Sequence, residues 1–189
     1  MEIKTIEFKI RGREWKVKTV TIKQYYRIQT LLASSITQNR VQIISELSDC
    51  PIEDLNSLEK HQFNAIWNAV VEGPLNVSST APFHRTILLN DKLYGFFDIN
   101  QVTVGEYSDL EILRAMPDAQ QQLHKMMAIL YRELDENGIP VGYTIDGFNR
   151  RAELFLNRMK ISHVIAAIDF YFHITKVCLK DMMASLELT

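Results

Sequence analysis

The feature that most constrains this chain is a pattern it uses twice. Thr21-Ile-Lys-Gln-Tyr-Tyr-Arg-Ile-Gln-Thr-Leu31 and Thr103-Val-Gly-Glu-Tyr-Ser-Asp-Leu-Glu-Ile-Leu113 both read Thr-[Ile/Val]-x-[Gln/Glu]-Tyr-x-x-[Ile/Leu]-x-x-Leu, at an offset of 82 residues. A Thr followed three residues later by Gln or Glu is a capping box: the hydroxyl accepts an orphan amide and the longer side chain reaches back. Each copy therefore predicts a helix start. What precedes them is also alike. Ile10-Arg-Gly-Arg-Glu-Trp-Lys-Val17 and Leu89-Asn-Asp-Lys-Leu-Tyr-Gly-Phe96 each place a tight turn before an alternating run, the signature of a hairpin. The predicted unit is a β-hairpin feeding a capped helix, with Asn100-Gln101-Val102 as a three-residue addition in the second copy.

Between and after the copies the period is helical. Val41, Ile44 and Leu47 mark a helix from about Asn39, with a bend at Ser34-Ser35 before it, and Pro51 opens a short helix through Leu55. Asn56 or Ser57 is the expected cap of a helix carrying Phe63, Ile66, Trp67, Val70 and Val71, which Gly73-Pro74 stops. After Met116-Pro117, a helix from Ala119 to about Leu134 aligns Leu123, Met126, Met127, Leu130 and Tyr131. An irregular stretch extends to Gly147, and the rest reads as two helices divided near Ile161-Ser162, with Ser162 as cap. The class is α+β, mostly helical, with two hairpin-plus-helices units in tandem, the second ending in long C-terminal helices. The period-free, proline-bearing residues 74–86 are the expected connector between an N-terminal unit at 1–73 and a C-terminal unit at 87–189.

Composition narrows the function. With 47% hydrophobic and 23% charged residues the chain is an ordinary globular one. Its formal charge of −2 supplies no field to recruit nucleic acid or an acidic membrane. The start, Met-Glu-Ile-Lys, lacks the apolar core of a signal peptide. The most apolar run, residues 164–174, contains Asp169 and His173 and is shorter than the roughly 20 residues a membrane span needs. Cys50 and Cys178 fit no metal or disulfide framework, and reduced thiols in a cytosol suit them best.

No catalytic signature is visible: no phosphate-binding glycine loop, no His-Glu-x-x-His, no Gly-x-Ser-x-Gly. His163 and His173 stand about 15 Å apart along a helix and cannot share a metal. Asp169, set among apolar neighbours, must face water or find a partner. Three consecutive aromatics, Phe170, Tyr171 and Phe172, wrap further round a helix than one core stripe requires, so they meet either the hairpins or a neighbouring subunit. Met126-Met127 and Met182-Met183 read as adaptable core filler. Candidate interface residues are Trp15, Tyr25, Tyr107, Phe170, Tyr171 and Phe172; no catalytic, cofactor or metal residue is assigned.

The hairpin Phe-x-Ile-x-Gly-x-x-Trp-x-Val (residues 8–17), the Thr-capped helix at 21–32, the Ile-Ile-Ser-x-Leu helix at 43–47 and Pro-Ile-Glu-Asp-Leu at 51–55 together resemble the tail assembly chaperones and baseplate-hub structural proteins of tailed bacteriophages. Leu-His-Lys-Met-Met-Ala-Ile-Leu-Tyr-Arg at 123–132 extends the resemblance to about two thirds of the chain. The resemblance implies a non-enzymatic part in virion morphogenesis, in the virion (tail, baseplate or neck) or in the host cytoplasm during assembly. Its partners would be other phage structural proteins, and the chain itself could form a homo-oligomer or ring. Two other readings compete. One is a nucleic-acid-binding module on the first hairpin, where seven Lys or Arg between residues 2 and 23 outnumber three Glu, with Trp15 stacking on bases. The other is an enzyme whose site would show as a buried cluster of titratable groups.

Overall fold

The computed structural model describes residues 6–33, 36–76, 81–97 and 102–186, with side chains as far as Lys176. The expected bend at Ser34-Ser35 and the Asn100-Gln101 part of the addition lie outside these residues, as do the side chains of Cys178, Met182 and Met183.

Both hairpins form, and with the same turn. β1 (Glu7–Ile10) pairs antiparallel with β2 (Arg13–Lys16), leaving Arg11-Gly12 as a two-residue loop with φ of 50° and 79°. β3 (Thr86–Leu89) pairs with β4 (Lys92–Phe96) around Asn90-Asp91, at φ of 49° and 60°. Two consecutive left-handed residues match the right-handed twist of the flanking strands, which is why such turns close hairpins.

Each hairpin then feeds its capped helix. Thr21 caps α1 (Ile22–Leu32) and Thr103 caps α5 (Val104–Ala115), each with the reciprocal bond from Gln24 or Glu106. The repetition reaches the backbone beyond the caps. Val17 N–H donates to the Ile6 carbonyl at 2.8 Å, and Phe96 N–H to the Arg85 carbonyl at 2.7 Å. Lys18 N–H donates to Leu47 at the end of α2 (Thr37–Ser48), and Phe97 N–H to Leu130 at the end of α6 (Leu123–Leu130). The hairpin exit thus holds the C-terminal end of the second helix in both units.

The units diverge after that. In the first, Asp49 in the left-handed region ends α2, and α3 (Ile52–Asn56) and α4 (Lys60–Glu72) follow. The cap of α4 is Glu59, whose amide donates to Gln62 at 3.2 Å, three residues after Asn56 and two after Ser57, the expected caps. Ser57 N–H is already engaged with Asp54, closing α3 instead. In the second unit a turn of 3-10 helix at Ala119–Gln121 precedes α6, and α6 stops at Leu130 rather than near Leu134. Tyr131–Glu133 is a strand, β5, that joins β4 in a three-stranded sheet. Tyr131 is fully buried there and its hydroxyl donates to the His84 carbonyl at 2.6 Å; these strand bonds and this burial outweigh the helical pattern.

α7 (Ile145–Arg158) takes in residues 145–147 of the stretch expected to be irregular, because Thr144 caps it through the Gly147 amide. α8 (Ile161–Leu186) follows without Ser162 as its cap. The residue before it, Lys160, is held in an extended bridge with Thr21, so the break falls at residues 159–160. α7 packs on α1 of one unit and on α6 of the other. Buried residues of both units form one continuous cluster, from Ile10, Ile28 and Leu47 through Met127, Leu130 and Phe155 to Val164. The molecule is α+β and mostly helical. No described helix is long and apolar enough to cross a membrane.

Candidate functional site

Two places merit consideration as sites, and both lie at α5. The first is a buried polar cluster. Where the first unit has Gln24 in its capping box the second has Glu106, and this substitution buries a carboxylate almost completely. Burial acts to raise its pKa, but the amide and hydroxyl of Thr103 and the paired Arg132 outweigh it and hold the carboxyl below its ordinary value. Arg151, also buried, donates from Nε to the Ala128 carbonyl at 3.0 Å and lies 5.9 Å above the Tyr143 ring. Burial raises the Tyr143 phenol and lowers the Arg151 guanidinium.

The chemistry available here is limited. A carboxylate held ionised by an arginine is a poor base, and neither the raised phenol nor a guanidinium exchanges protons near neutrality. The cluster ties α5 to β5, and α7 to α6. No group of three or more potential metal ligands exists among the described residues.

The second place is the surface at the cap of α5. In the first unit the corresponding residues are covered. Ile22 N–H donates to the Met159 carbonyl at 3.1 Å, and Ile161 N–H donates to the Val20 carbonyl at 2.9 Å, so residues 159–161 lie across the cap as a short antiparallel strand. Val20 and Ile22 are buried as a result, at 2% and 0% exposure. At the same positions of the second unit, Val104 is 85% exposed and Val102 is only partly buried. Phe97, Val102, Thr103, Val104, Tyr107, Tyr171 and Thr175 line an open, apolar cleft of about 250 Å³. The hydroxyl of Tyr171, on the cleft wall, is buried without a partner among the described residues. Further along the same side of α5, Ile112 is 57% exposed. The opposite side of that helix carries Glu106, Leu110 and Leu113 into the core.

The aromatic residues singled out by sequence divide between surface and interior. Tyr107 and Tyr171 meet in the cleft. Phe170 stacks on Phe83 with ring centroids 3.9 Å apart, and Arg114 sits 5.0 Å over Phe172. Phe170 and Tyr171 thus spend their contacts on the second hairpin and its approach, and Phe172 on α5. Trp15 and Tyr25 lie in the first unit, partly buried against the core. Asp169 faces solvent, so it needs no partner. On the first hairpin Lys9 pairs with Glu14, Lys16 with Glu7, Arg11 with Asp54 and Lys18 with Asp49. These local acids leave little unopposed positive charge for a phosphate backbone.

Sequence reasoning singled out Glu106 as a cap but passed over Arg132 and Arg151, and it passed over Val104 and Ile112. The Gln24-to-Glu106 difference between copies was the available signal for the first two, since a carboxylate in a packed cap requires a cation. No local signal marks Val104, because its exposure follows from what fails to cover it. No protein-family profile, curated protein or solved structure matches this chain.

Proposed function

We propose that this protein is a non-enzymatic assembly component that acts by protein-protein contact, and that its setting is the morphogenesis of a tailed bacteriophage. The observation that carries the first half is the outward side of α5, where Val104, Tyr107 and Ile112 are exposed beside a cleft at a helix cap that the first unit keeps covered. Apolar side chains exposed on the side of a helix opposite its core-facing one add little to the monomer's own packing and suit a partner surface. The second half is supported by the sequence resemblance to tail assembly chaperones and baseplate-hub proteins. In that setting the chain works as a tail, baseplate or neck subunit or as a temporary companion of tail components, in the virion or in the host cytoplasm during assembly.

The test is co-sedimentation of the purified chain with the tail, neck and baseplate proteins of assembling tailed phage, followed by mass spectrometry of finished particles. Stable association with at least one such protein is the expected result. Presence in the particle marks a subunit, and absence after association marks a chaperone. An inert monomer that joins none of them overturns the proposal.

A further inference from the structure

The two helix caps of this fold share backbone and pattern, but among the described residues only the first is covered by another segment. In the first unit the cover is an extended segment whose first and third side chains, Met159 and Ile161, are buried at 0% and 2% exposure, while its middle residue Lys160 stays at the surface. It accepts one backbone bond from the first helical amide and donates one to the carbonyl of the residue before the cap. In the second unit the groups in those positions are the Val104 amide and the Val102 carbonyl, and neither has a partner among the described residues. We infer that the cap of α5 docks an extended segment of a separate partner protein, aliphatic-basic-aliphatic in sequence, bridged antiparallel to residues 102–104 as residues 159–161 are bridged to residues 20–22.

Three further observations specify the occupant. The cleft, at about 250 Å³, falls below the roughly 300–1,000 Å³ of sites that take drug-sized ligands, and suits side chains of a peptide instead. Its wall includes Tyr171, whose hydroxyl is buried without a partner among the described residues, a polar group that calls for a hydrogen-bonding neighbour. Charge favours a basic segment: Lys23 and Arg27 of α1 correspond to Gly105 and Asp109 of α5, so the second cap lacks two cations and gains one acid, while Glu111 is already paired with Arg114. In the folded chain residues 159–161 are bonded to the chain's own α1, so a second folded copy has no free segment of this kind to lend.

The inference rests on the reading of the protein as a contact-making component, and its test is separable from the test of that reading. The probe is a synthetic peptide of residues 157–163, Asn-Arg-Met-Lys-Ile-Ser-His, titrated into the isotopically labelled full chain and followed by amide shifts. Saturable shifts at Val104 and Tyr107 at millimolar peptide are expected. A peptide with Asp in place of the Met and Ile should give none. Val104→Asp should weaken binding at least about tenfold, the equivalent of one lost aliphatic contact. Asp is favourable in the first turn of a helix and residue 104 is on the surface, so the fold is retained. Absence of shifts, shifts at Ile22 instead, or shifts at Val104 on concentrating the protein alone would each overturn the inference, the last because the occupant would be a second copy. If Val104→Asp still joins tail components as the unaltered chain does, the docking site fails and the assembly reading stands. If the peptide binds but the protein joins no tail component, the reverse holds.

Discussion

Acidification should weaken this fold through one residue, His163, by about 2 kcal/mol at pH 5 and about 3 kcal/mol at pH 4. The ring of His163 lies 5.0 Å from that of His84, and its Nδ1 is buried without a partner among the described residues. Burial, then the neighbouring His84 and Lys160, push its pKa from the ordinary 6.5 down to about 4. Between those values the unfolded chain takes up a proton that the folded one refuses, so stability is complete above pH 6.5 and is lost as pH falls toward 4. Each tenfold difference in proton affinity is worth about 1.4 kcal/mol, which sets the stated magnitudes. The assay is urea unfolding at a series of pH values for the unaltered chain and for His163→Leu, which fills similar space and cannot titrate. Carboxylates and His124, itself lowered by burial, contribute equally to both chains and cancel in the difference. On acidification the unaltered chain should lose about 2–3 kcal/mol more stability than the variant. Parallel curves would refute the assignment of the acid sensitivity to this ring.

Other perturbations have outcomes set by the same structure. Thr103→Ala removes the hydroxyl half of a capping box and should cost about 1 kcal/mol by thermal or urea unfolding, and Thr21→Ala a similar amount. Glu106→Ala strands the mostly buried Arg132 and should cost roughly 3–5 kcal/mol; a loss near that of the Thr variants would show that the pair is solvated. Asp91→Gly relieves a left-handed residue at φ of 60° in the second hairpin turn and should stabilise by about 0.5 kcal/mol. Tyr131→Phe deletes the bond to the His84 carbonyl and should lower stability by roughly 1 kcal/mol in the same assay.

What was legible in the sequence was local. Thr21 with Gln24, and Thr103 with Glu106, state their caps within four residues, and Arg11-Gly12 and Asn90-Asp91 state their turns within two. The structure places all four as read. Where a distant segment competes, local pattern fails. Tyr131 fits a helical stripe with Met127, yet β4 supplies strand bonds that the local sequence does not reveal. Ser162 is a good capping residue, yet Thr21 fixes Lys160 as a strand and moves the helix start ahead of it. The cleft was illegible for the same reason. Its lining residues, Phe97, Tyr107 and Tyr171 among them, come from three separate stretches, and Val104 differs from Ile22 mainly in what lies across it.

The bridge between Thr21 and Lys160 also has a consequence for how the chain reaches its structure. Bonds inside a unit join residues much closer in sequence than Thr21 and Lys160 are, and the closer contacts form earlier because less loop entropy opposes them. The strap across the first cap joins Thr21 of the first unit to Lys160, beyond α7. It closes only once both units and α7 are in place, and Met159 and Ile161 then join the core. When that strap is loose, the cap of α1 presents Val20 and Ile22 much as α5 presents Val102 and Val104, and the molecule has two receptive ends in place of one.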